Sequence, residues 1–228
     1  MNLYIDSANI KKIKELYDWL PITGVTVNPT ILAKDKITIS DFLNEVKNLS
    51  PKCTHIQVTH TETKQIIDDV KYLWNLELDN ISAKIPVTKN GLKAIKEIKS
   101  ENESRLITAT AVYNANQALI AAEAGADFIA PYVSRIDRLE HSGLDVVADI
   151  KVLLNKYNLE SKIIAASIKN AYQLKEILKI GVDSVTLAPD LIEEAFQSDL
   201  TDQAETDFLN DWTNVFKSQE LTSQIIRR

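Results

Sequence analysis

The stretch "ISAKIPVT", residues 81–88, decides how the chain folds, because it sets a lysine, Lys84, among residues that suit a protein interior. Its β-branched and apolar residues read as a strand buried on both faces, as parallel strands between helices are. An unpaired ammonium is costly to bury, so the interior that receives Lys84 must be polar for a reason.

Working outward in both directions, further short β-rich runs come into view: "NLYID", "GVTVN" and "HIQVTH" before it, then "RLITATAV", "DFIAPYV", "KIIAASI" and "DSVTLAP" after it. With "ISAKIPV" they make eight strands. Between them, residues 9–20, 41–49, 62–74, 91–99, 115–124, 144–156 and 171–180 carry apolar residues at helical spacing. Strand and helix alternate with a period of roughly 25 residues, which predicts parallel strands with helical crossovers and a single (β/α)8 TIM barrel of the α/β class. An open doubly wound sheet is the alternative. No G-x-G-x-x-G or P-loop follows a strand, and a chain with only 5 glycines is poorly equipped to wrap backbone around a dinucleotide.

No linker divides the chain, so the reading is one barrel domain over residues 1–228, with 201–217 as an additional C-terminal helix. That helix sets Phe208, Trp212, Val215 and Phe216 on one face, more aromatic surface than a terminal helix exposes to water. It is expected to pack on its own barrel or on a neighbouring subunit.

The net charge of −6, with both signs interspersed along the chain, argues against nucleic acid and against an anionic membrane surface as partners. No apolar run approaches the roughly 20 residues of a membrane span, and "MNLYIDSANIKKIKEL" lacks the pattern of a secretory leader. The single cysteine, Cys53, forms no internal disulfide and belongs to no zinc-like spacing. A cytoplasmic setting is expected. The three histidines do not form a metal set: His55 and His60 lie five apart along one run and so face opposite ways, and His141 falls in a loop. No metal and no cofactor are expected.

Side chains alternate across a strand, so one face of each run points toward the barrel axis. The polar faces carry Tyr4 with Asp6, Thr26 with Asn28, His55 with Gln57 and Thr59, Ser82 with Lys84, Thr108 with Thr110, then Tyr132, Ser167, and Ser184 with Thr186. A purely structural barrel is filled with layers of Val, Ile and Leu, whereas here polar groups gather toward the strands' C-terminal ends, where barrel active sites sit.

A desolvated lysine has a lowered pKa, and its free amine attacks a carbonyl to form a Schiff base whose protonated imine stabilises an adjacent carbanion. Lys84 is placed for that chemistry; a lysine snorkelling from an edge strand is the bland alternative. Asp6 either assists proton transfers at the amine or caps the helix that starts near residues 7–9. Asn28 is either a turn residue before Pro29 or an interior amide for a substrate hydroxyl. Tyr132 is either a core aromatic or an acid/base working directly or through water held by Gln57 and Thr110. Arg135, Ser167 and Lys169 make a phosphate site at the barrel mouth, unless the two cations are simply surface residues.

"LYIDSANI", "GVTVNPTIL", "KIPVTKNGLKAIK", "TATAVYNANQAL", "AGADFIAPYVSRID", "IIAASIKN" and the "FLNDW" of the tail together resemble the small transaldolase and fructose-6-phosphate aldolase family of class I barrel enzymes. The resemblance spans nearly the whole chain. It implies Lys84 as the Schiff-base lysine, assisted by Asp6 and Asn28, with Arg135, Ser167 and Lys169 on the substrate phosphate. It also implies a small phosphosugar and a small ketone donor as partners, and a homo-oligomer, commonly a decamer of two pentamers, in which the terminal helix reaches a neighbour.

Two positions separate the branches. The transaldolases carry Glu where this chain has Gln57, and usually Phe where it has Tyr132. An amide orients water without taking its proton, which leaves the tyrosine hydroxyl to protonate the enamine carbon. The expectation is therefore reversible cleavage of fructose 6-phosphate to dihydroxyacetone and glyceraldehyde 3-phosphate. Transaldolase transfer of a dihydroxyacetone unit is the alternative, and a non-catalytic phosphosugar-binding barrel the second. Ser134, where related aldolases often have Asn, and "TLAPD" at 186–190 depart from the family pattern and bear on acceptor preference.

Overall fold

The computed structural model describes residues 1–76 and 80–221. Eight parallel strands close into a barrel in strictly sequential order: β1 (Asn2–Asp6), β2 (Gly24–Val27), β3 (Cys53–Gln57), β4 (Ile81–Pro86), β5 (Ile107–Val112), β6 (Phe128–Pro131), β7 (Lys162–Ala165) and β8 (Ser184–Leu187), with β8 paired back to β1. The helices are α1 (Ile10–Trp19), α2 (Pro29–Asp35), α3 (Ile39–Val46), α4 (Thr63–Trp74), α5 (Lys89–Glu101), α6 (Ala115–Glu123), α7 (Val133–Asp137), α8 (Gly143–Lys156), α9 (Ala171–Ile180), α10 (Pro189–Phe196) and α11 (Asp199–Phe216). Among the described residues none is long and apolar enough to cross a membrane.

The crossover helices hold because each lays one apolar stripe on the sheet. In α4 the buried residues are Ile66, Ile67, Val70 and Leu73, and in α5 they include Ala94, Ile95 and Ile98, spacings that return to one face of a 3.6-residue helix. Where a strand hands over to its helix, a short polar side chain accepts a backbone N–H of the first turn. Asn9, Asn28, Thr88, Asn114 and Asn170 do this for α1, α2, α5, α6 and α9, each such cap being worth about 1 kcal/mol. The strand-to-helix turns that build the barrel mouth are thus fixed locally.

Inside the barrel, Tyr4, Cys53, Phe128, Ala130 and Ile164 form an apolar plug toward the N-terminal side. Gly24 belongs to this layer: a Cβ there would lie 1.8 Å from the Cys53 carbonyl oxygen and 3.1 Å from the Tyr4 ring, so only glycine lets β2 and β3 pair around the tyrosine. Outside that end, Lys99 Nζ bonds Asp127 at 3.0 Å, and Asp127 accepts the Ile107 N–H at 2.7 Å, tying α5 to the starts of β5 and β6. Above the plug, register sets the polar layer: Asp6 lies beside Thr26, Gln57 beside Lys84, and Lys84 beside Thr108. A bulge between Ala109 and Val112, with Ala111 at φ 55°, re-aims β5 where it meets β6.

The chain forms two compact units, residues 1–192 and 193–228. In the second, the α11 residues Phe208 and Val215 are 72% and 71% exposed, while the Trp212 and Phe216 rings pack on each other at 4.3 Å.

The eight strands expected from the sequence are all present, with shifted ends. "HIQVTH" yields a strand that begins at Cys53 and stops at Gln57. "DFIAPYV" stops at Pro131, and Val133 begins α7. Three short helices, α2, α7 and α10, were not expected. The first has Asn28 as cap and Pro29 at its first position, the arrangement that a helix start prefers.

Candidate active site

A cavity of about 170 Å³ opens at the C-terminal ends of the strands, lined by Asp6, Asn28, Thr30, Ile31, Lys84, Tyr132, Arg135, Ala166, Ser167 and Lys169. Seven of the nine residues singled out from the sequence are in that lining. Of the other two, Thr110 stands behind Tyr132 and Gln57 beside Lys84 on the neighbouring strand.

Lys84 is 3% exposed, in the middle of β4. Burial holds its amine below the ordinary lysine value of 10.5, and the Asp6 carboxylate pulls the other way. The edge-strand alternative does not apply, since a closed barrel has no edge.

Asp6 ends β1, and its Oδ1 accepts the Thr26 hydroxyl at 2.6 Å. Thr26 Oγ1 lies 2.7 Å from Thr186 Oγ1. Thr26 has one proton, and it goes to the carboxylate, so Thr186 must be the donor in the second bond. The row thus runs Thr186 to Thr26 to Asp6 across β8, β2 and β1. Asp6 does not cap α1: Asn9 does, and the Ser7 hydroxyl accepts the Asn9 N–H. Asn28 is the N-cap of α2, its Oδ1 accepting the Ile31 N–H at 3.1 Å, and the residue also lines the cavity.

Tyr132 follows β6 and is buried. Its hydroxyl accepts from Thr110 Oγ1 at 3.1 Å, its ring lies under the Arg135 guanidinium at 4.7 Å, and Tyr113 packs against it edge-on with centroids 6.0 Å apart. Burial raises the phenol's pKa, opposed by the Thr110 hydrogen bond and the Arg135 charge, so it carries its proton at neutral pH. Arg135 and Lys169 are exposed at the mouth, and Ser167 between them takes up a left-handed backbone with φ 60°.

Beneath the lysine, His55 Nδ1 lies 2.8 Å from Thr108 Oγ1, which lies 2.6 Å from Ser82 Oγ. The imidazole stands edge-on between Tyr4 and Phe128, centroids 4.8 and 4.9 Å away. Burial, reinforced by the Lys84 charge, drives its pKa down to about 3, so it is neutral. His60 is outside the strand, in a loop, bonded to Asp69 at 2.8 Å. Thr30, Ile31 and Ala166 join the lining without a signal in the sequence, Thr30 and Ile31 because they stand on α2 and not on the interior face of a strand, and Ala166 because it carries only a methyl group; Thr26 and Thr186, legible only as interior-face residues, form the hydroxyl row to Asp6.

The closed parallel barrel is a (β/α)8 fold, and its cavity, with the buried Lys84 in its wall, lies at the C-terminal mouth where enzymes of this fold carry their active sites. The family model described as transaldolase/fructose-6-phosphate aldolase matches residues 3–225, and the chain belongs to that family. Among similar proteins, a probable transaldolase of Kosmotoga olearia is 34% identical over 97% of this chain and 100% of its own length. A probable transaldolase of Hydrogenobaculum sp. is 34% identical over 94% of this chain and 98% of its own. One of Brucella ovis is 35% identical over 93% and 96%.

Proposed function

We propose that the protein is a class I aldolase that cleaves fructose 6-phosphate reversibly to dihydroxyacetone and glyceraldehyde 3-phosphate through a Schiff base on Lys84. The observation that carries this reading is the pairing, in the lining of one small cavity, of the buried Lys84 amine with the buried Tyr132 hydroxyl.

The Lys84 amine adds to the ketose C2 carbonyl, and loss of water from the carbinolamine leaves a protonated imine. Asp6, held by Thr26, is the group that shuttles protons in this addition and its reversal. The Asp6 carboxylate takes the C4 hydroxyl proton as the C3–C4 bond breaks. Its electron pair flows into the imine to give an enamine, and glyceraldehyde 3-phosphate departs. Tyr132 then delivers a proton to the enamine carbon, directly or through a water oriented by Gln57 and Thr110, and hydrolysis frees dihydroxyacetone and the amine. Asn28 binds a substrate hydroxyl, and Arg135, Ser167 and Lys169 bind the phosphate, the guanidinium through paired hydrogen bonds. The chemistry calls for no cofactor.

A second reading, favoured by the relatives, which are probable transaldolases, is transaldolase transfer, in which the same enamine waits for an acceptor aldose phosphate. The two differ in whether the enamine is protonated before an acceptor arrives. Borohydride trapping with fructose 6-phosphate, read by intact mass and peptide mapping, tests the shared step. Free dihydroxyacetone assayed without acceptor tests the branch. An adduct on Lys84 with released dihydroxyacetone is expected. An adduct without release assigns transfer, and no adduct with any ketose leaves a binding-only barrel.

We further read residues 1–228 as one functional protomer in a homo-oligomer, a decamer by family resemblance, located in the cytoplasm. The exposed Phe208 and Val215 of α11 support a neighbouring subunit as their cover, and sedimentation of the purified protein tests it.

A further inference from the structure

The phosphate-binding residues stand on two separate segments. Arg135 is on α7, after β6, whereas Ser167 and Lys169 are on the loop after β7. A phosphate can be gripped from both sides only if the gap between these segments is fixed, and one side chain spans it. Gln173, in the first turn of α9, accepts the Ser134 hydroxyl at 3.0 Å and the Lys169 backbone N–H at 2.9 Å on its Oε1. Its Nε2 donates to Asp137 Oδ2 at 2.7 Å. Ser134 and Asp137 flank Arg135 on α7, so the amide ties the arginine's helix to the lysine's backbone.

The orientation of the amide follows from its neighbours. A backbone N–H can only donate, and an ionised carboxylate can only accept, so oxygen must face Lys169 and nitrogen must face Asp137. Asp137 is held in turn, its Oδ1 accepting the Gly143 N–H at 2.8 Å. A side chain that accepts at one edge and donates at the other is required; leucine does neither, and glutamate cannot donate to the carboxylate.

We propose that Gln173 is a positioning residue that sets the spacing between Arg135 and the Ser167–Lys169 segment, and thereby the preference for phosphorylated over unphosphorylated sugars. The proposal rests on the reading above that these three residues hold the substrate phosphate. It concerns KM for the phosphorylated partner rather than the chemistry at Lys84, which sits on a different strand.

The test compares kcat/KM for glyceraldehyde 3-phosphate with that for glyceraldehyde, each with dihydroxyacetone in the synthetic direction. In Gln173→Leu the ratio is expected to fall about tenfold, the scale of one or two lost hydrogen bonds, through KM for the phosphorylated aldehyde. Gln173→Glu should do the same by setting two carboxylates against each other. Adding Asp137→Asn to Gln173→Glu reverses donor and acceptor across that bond, and the ratio should recover, an outcome that a merely structural role would not produce. This pair also decides the matter if Gln173→Leu does not fold. An unchanged ratio in the single variants, or equal losses on both aldehydes without recovery in the double variant, overturns the proposal. A wild-type protein indifferent to the phosphate instead overturns the phosphate assignment on which the proposal stands.

Discussion

Replacing Lys84 by methionine should abolish turnover and make the protein more stable. The methionine keeps the length and apolar character of the lysine stem while deleting the charge, and volume-conserving exchanges in cores cost little. What is removed is the penalty of holding an amine at a position that is 3% exposed. Mutational data put the cost of burying an inadequately compensated polar group at about 1–3 kcal/mol. For a chain of this length about 1 kcal/mol moves Tm by about 2–4 °C, so the variant should melt about 2–12 °C higher at pH 7. Some of that gain is offset by loss of attraction to Asp6, which is only partly buried and retains its Thr26 hydrogen bond. The sign of the pH dependence follows from linkage. The folded amine has a pKa below 10.5, so between that folded value and 10.5 the unfolded chain binds more protons, and wild-type stability rises with pH. The variant lacks this rise, and its advantage should be greatest near neutrality and shrink toward pH 10. Scanning calorimetry of both proteins from pH 7 to 10 makes the comparison. A variant that melts lower at pH 7, or whose advantage is constant with pH, refutes the view of Lys84 as a strained, desolvated amine.

Three further outcomes are expected. His55 titrates at about 3 in the folded protein against 6.5 unfolded, so wild-type stability should fall by about 1.4 kcal/mol for each pH unit between 6.5 and 3 on its account. His55→Phe, suited to the slot between Tyr4 and Phe128, should flatten that acid limb in urea titrations, and an unaltered limb would count against a buried neutral imidazole. Thr26→Val deletes a hydrogen bond to a carboxylate worth about 1.5–3 kcal/mol, so kcat should drop about 10- to 100-fold with the circular dichroism spectrum retained; full activity would remove the threonine from the account of Asp6. Gln57→Glu should raise transfer to an acceptor aldose relative to release of free dihydroxyacetone, measured as the product ratio from fructose 6-phosphate with and without acceptor. A constant ratio would mean that this position does not separate the branches.

The barrel was legible because its signals are periodic. Each strand announces itself by β-branched residues over a few positions and each long helix by its returning apolar stripe; the count of eight favours closure over an open sheet, and the pairing of β8 with β1 decides it. Alternation also placed Lys84, Asp6 and Tyr132 on the interior face, which is why most of the cavity lining could be named in advance. The short helices were illegible for the converse reason: α7, with five residues, is too short to show a period, and its start is marked only by Pro131 and Tyr132. Asp6 invited a capping assignment because aspartate commonly caps, but Asn9 stands three residues before Lys12, whose N–H it accepts, and Asp6 stands six. The Gln173 bridge could not have been read at all. It joins residues 36 and 39 positions apart whose meeting depends on how two loops fold over one rim.

The hydroxyl row from Thr186 through Thr26 to Asp6 has a direction, and that direction is reversible. While Asp6 is ionised, every O–H along the row points toward it. Once the carboxyl takes a proton it can donate to Thr26, and both threonine hydroxyls can swing round, each heavy atom staying where it is. Protonation at the mouth of β1 would then be felt on β8 as a rotated hydroxyl, a message carried across three strands by hydrogen atoms alone.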